Sequence, residues 1–143
     1  MNFLAIDYGE KRIGLAHGDD ELLMPFPLPC ANQPSEAERL AAIAAVISRY
    51  RIAHLIVGYP INMDGSHGYK TREVDAFIEK LETQFHLPVT RVDETLTSYA
   101  AESQLSAKRK GGRNAKAHQN HRKSGEIDSL AAGIILQDFF NSR

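Results

Sequence analysis

Asn2-Phe-Leu-Ala-Ile-Asp-Tyr-Gly-Glu-Lys-Arg-Ile-Gly-Leu-Ala-His17 is the stretch whose reading decides the fold. The apolar run Phe3–Ile6 reads as a strand, Asp7 stands at its end, Gly9 marks a tight turn, and Arg12–Ala16 reads as a second strand. A connection this short between two strand patterns predicts a hairpin. Asp7 then lies where the backbone leaves the sheet, with an apolar strand below and solvent above. A carboxylate there can hold a metal ion, whereas one position earlier it would be buried. The competing reading is an aspartate that starts a turn by bonding its own backbone. Gly9 favours the first reading, because it lets a phosphate or ion approach the main chain, and Lys11 and Arg12 add positive charge beside it.

Working outward, Met24–Cys30 carries Pro25, Pro27 and Pro29. Proline at alternate positions cannot sit in a central strand, so this segment is an edge strand or an extended connection. Ser35-x-x-Glu38 is a capping box after Pro34. Leu40, Ile43, Ile47 and Tyr50 follow on one helical face, predicting a helix over Glu36–Arg51. His54–Gly58 is short and continuously apolar, as expected of a parallel strand buried on both faces. The loop after it collects Asn62, Asp64, Ser66 and His67 among glycines, where α/β proteins place ligands, although Asp64-Gly65 is also a plain turn signal. Val74, Phe77, Ile78, Leu81 and Phe85 give a second amphipathic helix over Thr71–Phe85. Pro88–Val92 is another short strand and delivers Asp93 and Glu94 at its end. Tyr99–Leu105 reads as a short helix, and the chain closes with a helix over Gly125–Phe139, with Ile127, Leu130, Ala131, Ile134 and Ile135 on one face. Asp128 falls in the first turn of that helix, where the dipole alone favours an acid.

The chain of 143 residues fits one domain, 1–143, and its 43% hydrophobic and 24% charged residues are those of an ordinary globular protein. No apolar run approaches the ~20 residues that span a membrane. The first residues enter a strand directly, so no secretory signal is expected. A single cysteine, Cys30, cannot form an internal disulfide, which fits a cytoplasmic protein. The net charge of −1 hides an asymmetry: Lys108, Arg109, Lys110, Arg113, Lys116, Arg122 and Lys123 make the segment 107–123 formally +7, leaving −8 for the rest. That segment holds almost nothing apolar. It reads as a flexible basic arm for a polyanion as readily as it reads as a solvated loop.

The element order βββαβαβα(α) describes an α/β protein with a mixed sheet and helices on both faces. Asp7, Glu94 and Asp128 converge in such a plan. Clustered carboxylates repel, so cations must offset them, and oxygen ligands suit Mg²⁺ or Mn²⁺. Two such ions can activate a water and stabilise a leaving oxygen in phosphodiester hydrolysis. The pair His118 and His121 has no cysteine nearby and argues poorly for zinc.

Four blocks together resemble the signature of the YqgF family: Asp7-Tyr-Gly-Glu-Lys-Arg-Ile-Gly, Val57-Gly-Tyr-Pro-Ile-Asn-Met-Asp-Gly65, Val92-Asp-Glu-Thr-Leu-Thr-Ser98 and Ile127-Asp-Ser-Leu-Ala-Ala132. They occur in family order across essentially the whole chain, although Gly111–His121 is longer and richer in Gly, Asn and His than the family pattern. The resemblance implies an RNase H-like fold with a mixed five-stranded sheet and a cytoplasmic nuclease described both as a Holliday junction resolvase and as a pre-16S rRNA nuclease. It implies Asp7, Glu94 and Asp128 as metal-binding, catalytic acids, with Asp93 ranked below Glu94 because it points to the other side of the strand. Lys11 and Arg12, Asn62 and Asp64, and the basic residues Lys108, Arg109 and Lys110 are the expected substrate contacts. RNA in ribosomal particles is the expected partner and four-way DNA the alternative; the latter predicts a dimer, and the chain itself reads as a monomer or weak dimer.

Two other functions fit parts of the pattern. A non-catalytic nucleic-acid-binding module would use the basic segment and keep the acids as structure. A small actin-like ATPase or sugar kinase shares the Asp-x-Gly…Gly arrangement, but needs a second domain and a second phosphate loop.

Overall fold

A computed structural model describes residues 1–9, 11–59, 69–93 and 129–142. The expected loop after the fourth strand, the short helix Tyr99–Leu105 and the basic segment 107–123 lie outside these residues. The centre of the sheet is β1 (Asn2–Asp7), which pairs antiparallel with β2 (Ile13–Asp19) and parallel with β4 (Ile52–Tyr59). β3 (Phe26–Ala31) and β5 (Val89–Asp93) form the two edges, giving the order β3-β2-β1-β4-β5. α1 (Glu36–Tyr50) and α2 (Tyr69–Phe85) cover one face, and α3 (129–141) covers the other. The mixed five-stranded sheet with helices on both faces is the architecture expected from the sequence.

Alternation along β1 divides the core. Leu4 and Ile6 join Ile13, Leu15, Leu55 and Val57 beneath α1 and α2, which contribute Leu40, Ile43, Val74, Phe77, Ile78 and Leu81. Phe3 and Ala5 point the other way, joining Ala16, Ile56, Ala132, Ile135, Leu136 and Phe140 beneath α3. A strand apolar on both faces is one that must be covered on both, which is why β1 and β4 occupy the middle.

Local chemistry sets the boundaries. Ser35 caps α1, its Oγ accepting the Glu38 backbone N–H at 3.1 Å and donating to Glu38 Oε1 at 3.1 Å. Arg51 ends α1 in the left-handed conformation, φ 52°. Pro27 and Pro29 lie in the edge strand β3, where a residue with no N–H costs nothing if its nitrogen faces away from β2.

Two expectations need correction. β2 starts at Ile13 and runs to Asp19, three residues beyond the predicted end, because His17, Gly18 and Asp19 go on pairing with Leu4, Phe3 and Asn2. The buried face of α3 is Ala131, Ala132, Ile135, Leu136 and Phe140, whereas Leu130 and Ile134 are only partly buried. Gly18 explains that rotation. A Cβ there would lie 2.7 Å from Met24 O, 3.2 Å from Leu136 Cδ2 and 3.3 Å from Phe140 Cε2, so the helix closes onto the place where β2 has no side chain.

Candidate active site

Because β1, β4 and β5 are parallel, their carboxyl ends lie side by side. Asp7 is the last residue of β1 and pairs with Gly14. Val57, the partner of Ile6, is followed by Gly58 and Tyr59, which pair with Val92 and Asp93. Asp7 is half-buried and, by alternation from Phe3 and Ala5, is on the α3 face. α3 starts at the same end: Ser129 Oγ donates to the Leu28 carbonyl at 2.6 Å, Leu28 pairs with Leu15, and Leu15 with Ile6, one residue before Asp7. A half-buried carboxylate at a strand end, on the face that α3 covers, has the oxygen chemistry a hard cation requires.

Gly9 makes the turn beyond Asp7 possible. A Cβ at this position would sit 2.5 Å from the Arg12 carbonyl oxygen, so only glycine allows this approach of Gly9 to Arg12 without a backbone shift. Lys11 and Arg12 are exposed on that turn, as a phosphate contact requires. Tyr8 turns to the opposite face, where its ring packs 4.4 Å from that of Phe77 in α2. Burial, then the nearby carboxylates Glu36 and Glu73, raises the Tyr8 hydroxyl above its ordinary pKa and keeps it neutral.

The sequence reading missed a second cluster at these strand ends. Tyr59 is 9% exposed, its hydroxyl donates to Asp75 Oδ2 at 2.9 Å, and the Arg91 guanidinium lies over its ring at 5.6 Å from the centroid. Arg91 also reaches Asp75 Oδ1 at 3.3 Å. Burial first, then the Asp75 bond, raises the Tyr59 pKa. With Asp75 and Arg91 side chains 48% and 46% exposed, the ion pair adds little stability. The cluster instead fixes where the ends of β4 and β5 sit against α2. A tyrosine inside an apolar strand pattern was the available signal, because a buried hydroxyl needs a partner.

Arg91 and Asp93 share the α2 face, and Val92 packs beneath α3. Asp93 therefore points away from the face of Asp7, as expected. Of the predicted site residues, Asp7, Lys11 and Arg12 are brought to one end of the sheet. Asn62, Asp64, Glu94, Lys108, Arg109, Lys110 and Asp128 lie outside the described residues. Among the described residues no group of three acids, histidines or cysteines is gathered as a metal site. Asp19, at the opposite end of β2, caps a turn, its Oδ1 accepting the Glu21 and Leu22 N–H groups at 3.0 and 2.7 Å.

A sequence model of the family described as "RuvX: Holliday junction resolvase" matches residues 1–142. The chain belongs to the RuvX family. This is the YqgF family of the four sequence blocks. Its relatives include a protein of Opitutus terrae, 44% identical over all of this chain and 93% of its own length, and one of Dechloromonas aromatica, 40% identical over 97% and 90%. Both are named "Putative pre-16S rRNA nuclease". Among solved structures, the chain is similar to Thermus thermophilus RuvC in complex with a Holliday junction substrate, with a TM-score of 0.56 at 22% identity, covering 100% of this chain and 95% of that one. It is also similar to the Fowlpox virus resolvase bound to junction DNA, with a TM-score of 0.55 at 14% identity, covering 99% and 98%. At such identities the likeness speaks for the fold, which is RNase H-like.

Proposed function

We propose that this chain is a metal-dependent endonuclease that hydrolyses phosphodiester bonds during 5′-end maturation of pre-16S rRNA in the cytoplasm. The observation that carries the reading is the position of Asp7: a half-buried carboxylate at the carboxyl end of the central strand, on the face and at the end where α3 starts. Asp128 precedes Ser129 in sequence and Glu94 follows Asp93, and the described residues Ser129 and Asp93 both lie at this end of the sheet. In this proposal Asp7, Glu94 and Asp128 hold Mg²⁺ or Mn²⁺. When bound, such ions supply an activated water and offset the charge of the leaving oxygen. Lys11 and Arg12 contact phosphate from the Gly9 turn, Asn62 and Asp64 line the cleft, and Lys108, Arg109 and Lys110 give the affinity its salt dependence.

The family's description and the junction-bound RuvC and Fowlpox structures favour one second reading, a resolvase of four-way DNA. Cleavage of two labelled substrates, an RNA with a pre-16S 5′ leader and a four-way DNA junction, separates the two. Wild type is compared with Asp7→Asn, both checked by circular dichroism and filter binding, in Mg²⁺ or Mn²⁺. RNA cleavage is expected from wild type, with a loss of at least about 100-fold in Asp7→Asn and retained binding. Junction cleavage that depends on Asp7 would put the resolvase first. Binding without Asp7-dependent cleavage of either substrate would leave a nucleic-acid-binding module.

A further inference from the structure

The end of the sheet opposite Asp7 has a different surface. The large hydrophobic side chains exposed among the described residues all belong to one region: Met1 65%, Leu22 66%, Leu23 46%, Met24 55% and Phe26 40% exposed. They lie on the β2–β3 turn and beside it, Asp20 N–H donating to the Met1 carbonyl at 3.3 Å. The turn is held from within. Asp19 accepts two backbone N–H groups through its side chain and the Leu23 N–H through its carbonyl, and the Met1 ammonium pairs with Asp20 at 3.1 Å. Leu23 takes φ 54°, a left-handed conformation in which glycine or asparagine would be less strained. A built turn that keeps a leucine there and turns its apolar neighbours to solvent is shaped for contact.

Three features choose the occupant. Strand addition to the adjacent edge is disfavoured, because Pro27 and Pro29 remove two N–H groups from β3. The border of the patch carries both signs: Asp19, Asp20 and Glu21 on the turn, and Arg49 and Arg51 at the end of α1. Ring contacts join the two sides, Phe26 lying 5.5 Å from His17, His17 stacking 4.1 Å from Tyr50, and Arg49 lying over Tyr50 at 5.5 Å. A nucleic acid would meet the carboxylates, and a uniformly basic protein would meet the arginines. A second copy turned about a two-fold axis sets each acidic turn against an arginine border. At roughly 200 Å² per fully exposed side chain of this size, the patch offers about 550 Å² per copy. A pair buries about 1,100 Å², near the floor of ~1,200 Å² for specific interfaces and well below their ~1,600 Å² average.

We propose that this patch is the interface of a weak, concentration-dependent homodimer, paired back to back so that both Asp7 ends face outward. Sedimentation equilibrium from about 5 to 500 µM tests it without any substrate, so its failure is distinct from that of the nuclease reading. The wild-type mass is expected to rise from 15.9 kDa toward twice that value. Leu22→Ser with Met24→Ser should stay at 15.9 kDa throughout, with an unchanged circular dichroism spectrum, since both side chains are more than half exposed. Glu21→Arg should weaken pairing about 5-fold or more, and adding Arg49→Glu should restore it to within about 2-fold. Should the serine variant fail to fold, dilution of the wild type read at the Met24 methyl resonance decides, with a concentration-dependent shift expected. A wild type that stays monomeric, a dimer that survives the serine substitutions, or a Met24 resonance indifferent to dilution overturns the proposal.

Discussion

Ser129→Ala isolates the contact that sets the start of α3. Ser129 is 8% exposed, and its Oγ donates at 2.6 Å to the carbonyl of Leu28, 101 residues earlier. Alanine fits the same space, so no cavity is made. What is lost is one short, part-buried hydrogen bond that ties the first residue of α3 to the edge strand. A neutral bond of this kind contributes about 0.5–1.5 kcal/mol, and its 2.6 Å length and partial burial put it at the upper end, about 1.5 kcal/mol. Unfolding entropy near 2.1 cal/mol/K per residue gives about 0.3 kcal/mol/K for a domain of this size, hence a melting point lowered by about 5 °C. Ser142→Ala is the matched control: its Oγ donates to Phe139 O at 2.9 Å from an exposed position, and it should change stability by less than about 0.5 kcal/mol. Urea titration and thermal melting of both variants against wild type read the difference. Equal losses in the two variants, or a Ser129→Ala melting point within about 1 °C of wild type, would refute the idea that this bond anchors α3.

Phe3, 1% exposed and within 5.2 to 5.7 Å of the His54, Phe139 and Phe140 rings, should cost about 3–5 kcal/mol on truncation to alanine. In urea, Phe26→Ala, 40% exposed, should cost a small fraction of that, and comparable losses would contradict the burial pattern. His17 is held below histidine's ordinary pKa of 6.5 by burial, against the opposing pull of Asp19. The unfolded chain therefore binds the proton more tightly. The stability from neutral His17 is complete above pH 6.5 and is lost as pH falls through its lower folded-state value. His17→Phe should flatten the fall in urea midpoint between pH 7.5 and 5.5, and an unchanged slope would sink the assignment. Gly9→Ala places a Cβ 2.5 Å from the Arg12 carbonyl and should destabilise by about 1–3 kcal/mol in the same titration; a loss below about 0.5 kcal/mol would show that the turn relaxes freely.

The legible parts of this fold were those with a one-dimensional signature. Ser35-x-x-Glu38 fixed the start of α1 to the residue, and the alternate prolines placed β3 at an edge. The run His54–Gly58 marked a doubly covered strand because nothing polar interrupts it. The end of β2 was illegible for the opposite reason. His17 is polar but stacks on Tyr50, and Gly18 has no side chain to register in any periodicity, yet both stay paired with β1. The face of α3 could not be read because its rotation is fixed by a gap in another element, at Gly18. In the candidate site, Asp7 was visible because an acid interrupts an apolar run. The Tyr59–Asp75–Arg91 cluster was not, because its members come from β4, α2 and β5 and share no motif.

Strand direction explains why the Asp7 end and the exposed apolar turn lie at opposite ends of the sheet. β1, β4 and β5 are parallel, so the chain leaves each of them at the same end of the sheet. Each exit carries polar or charged chemistry: Asp7 with Lys11 and Arg12, Tyr59 with its Asp75 bond, and Asp93. β2 alone among the inner strands runs the other way, and its exit delivers Leu22, Leu23 and Met24 to the far end. β1 is about 20 Å long at ~3.3 Å per residue, which keeps the two surfaces beyond a Debye length of about 8 Å at physiological salt. A charge reversal at Glu21 or Arg49 therefore acts on pairing and leaves the electrostatics around Asp7 unchanged. In the proposed arrangement a substrate at the Asp7 end is bound while the apolar turn is covered by the second copy. One antiparallel strand beside a parallel set is enough to give a small domain two surfaces that do not compete.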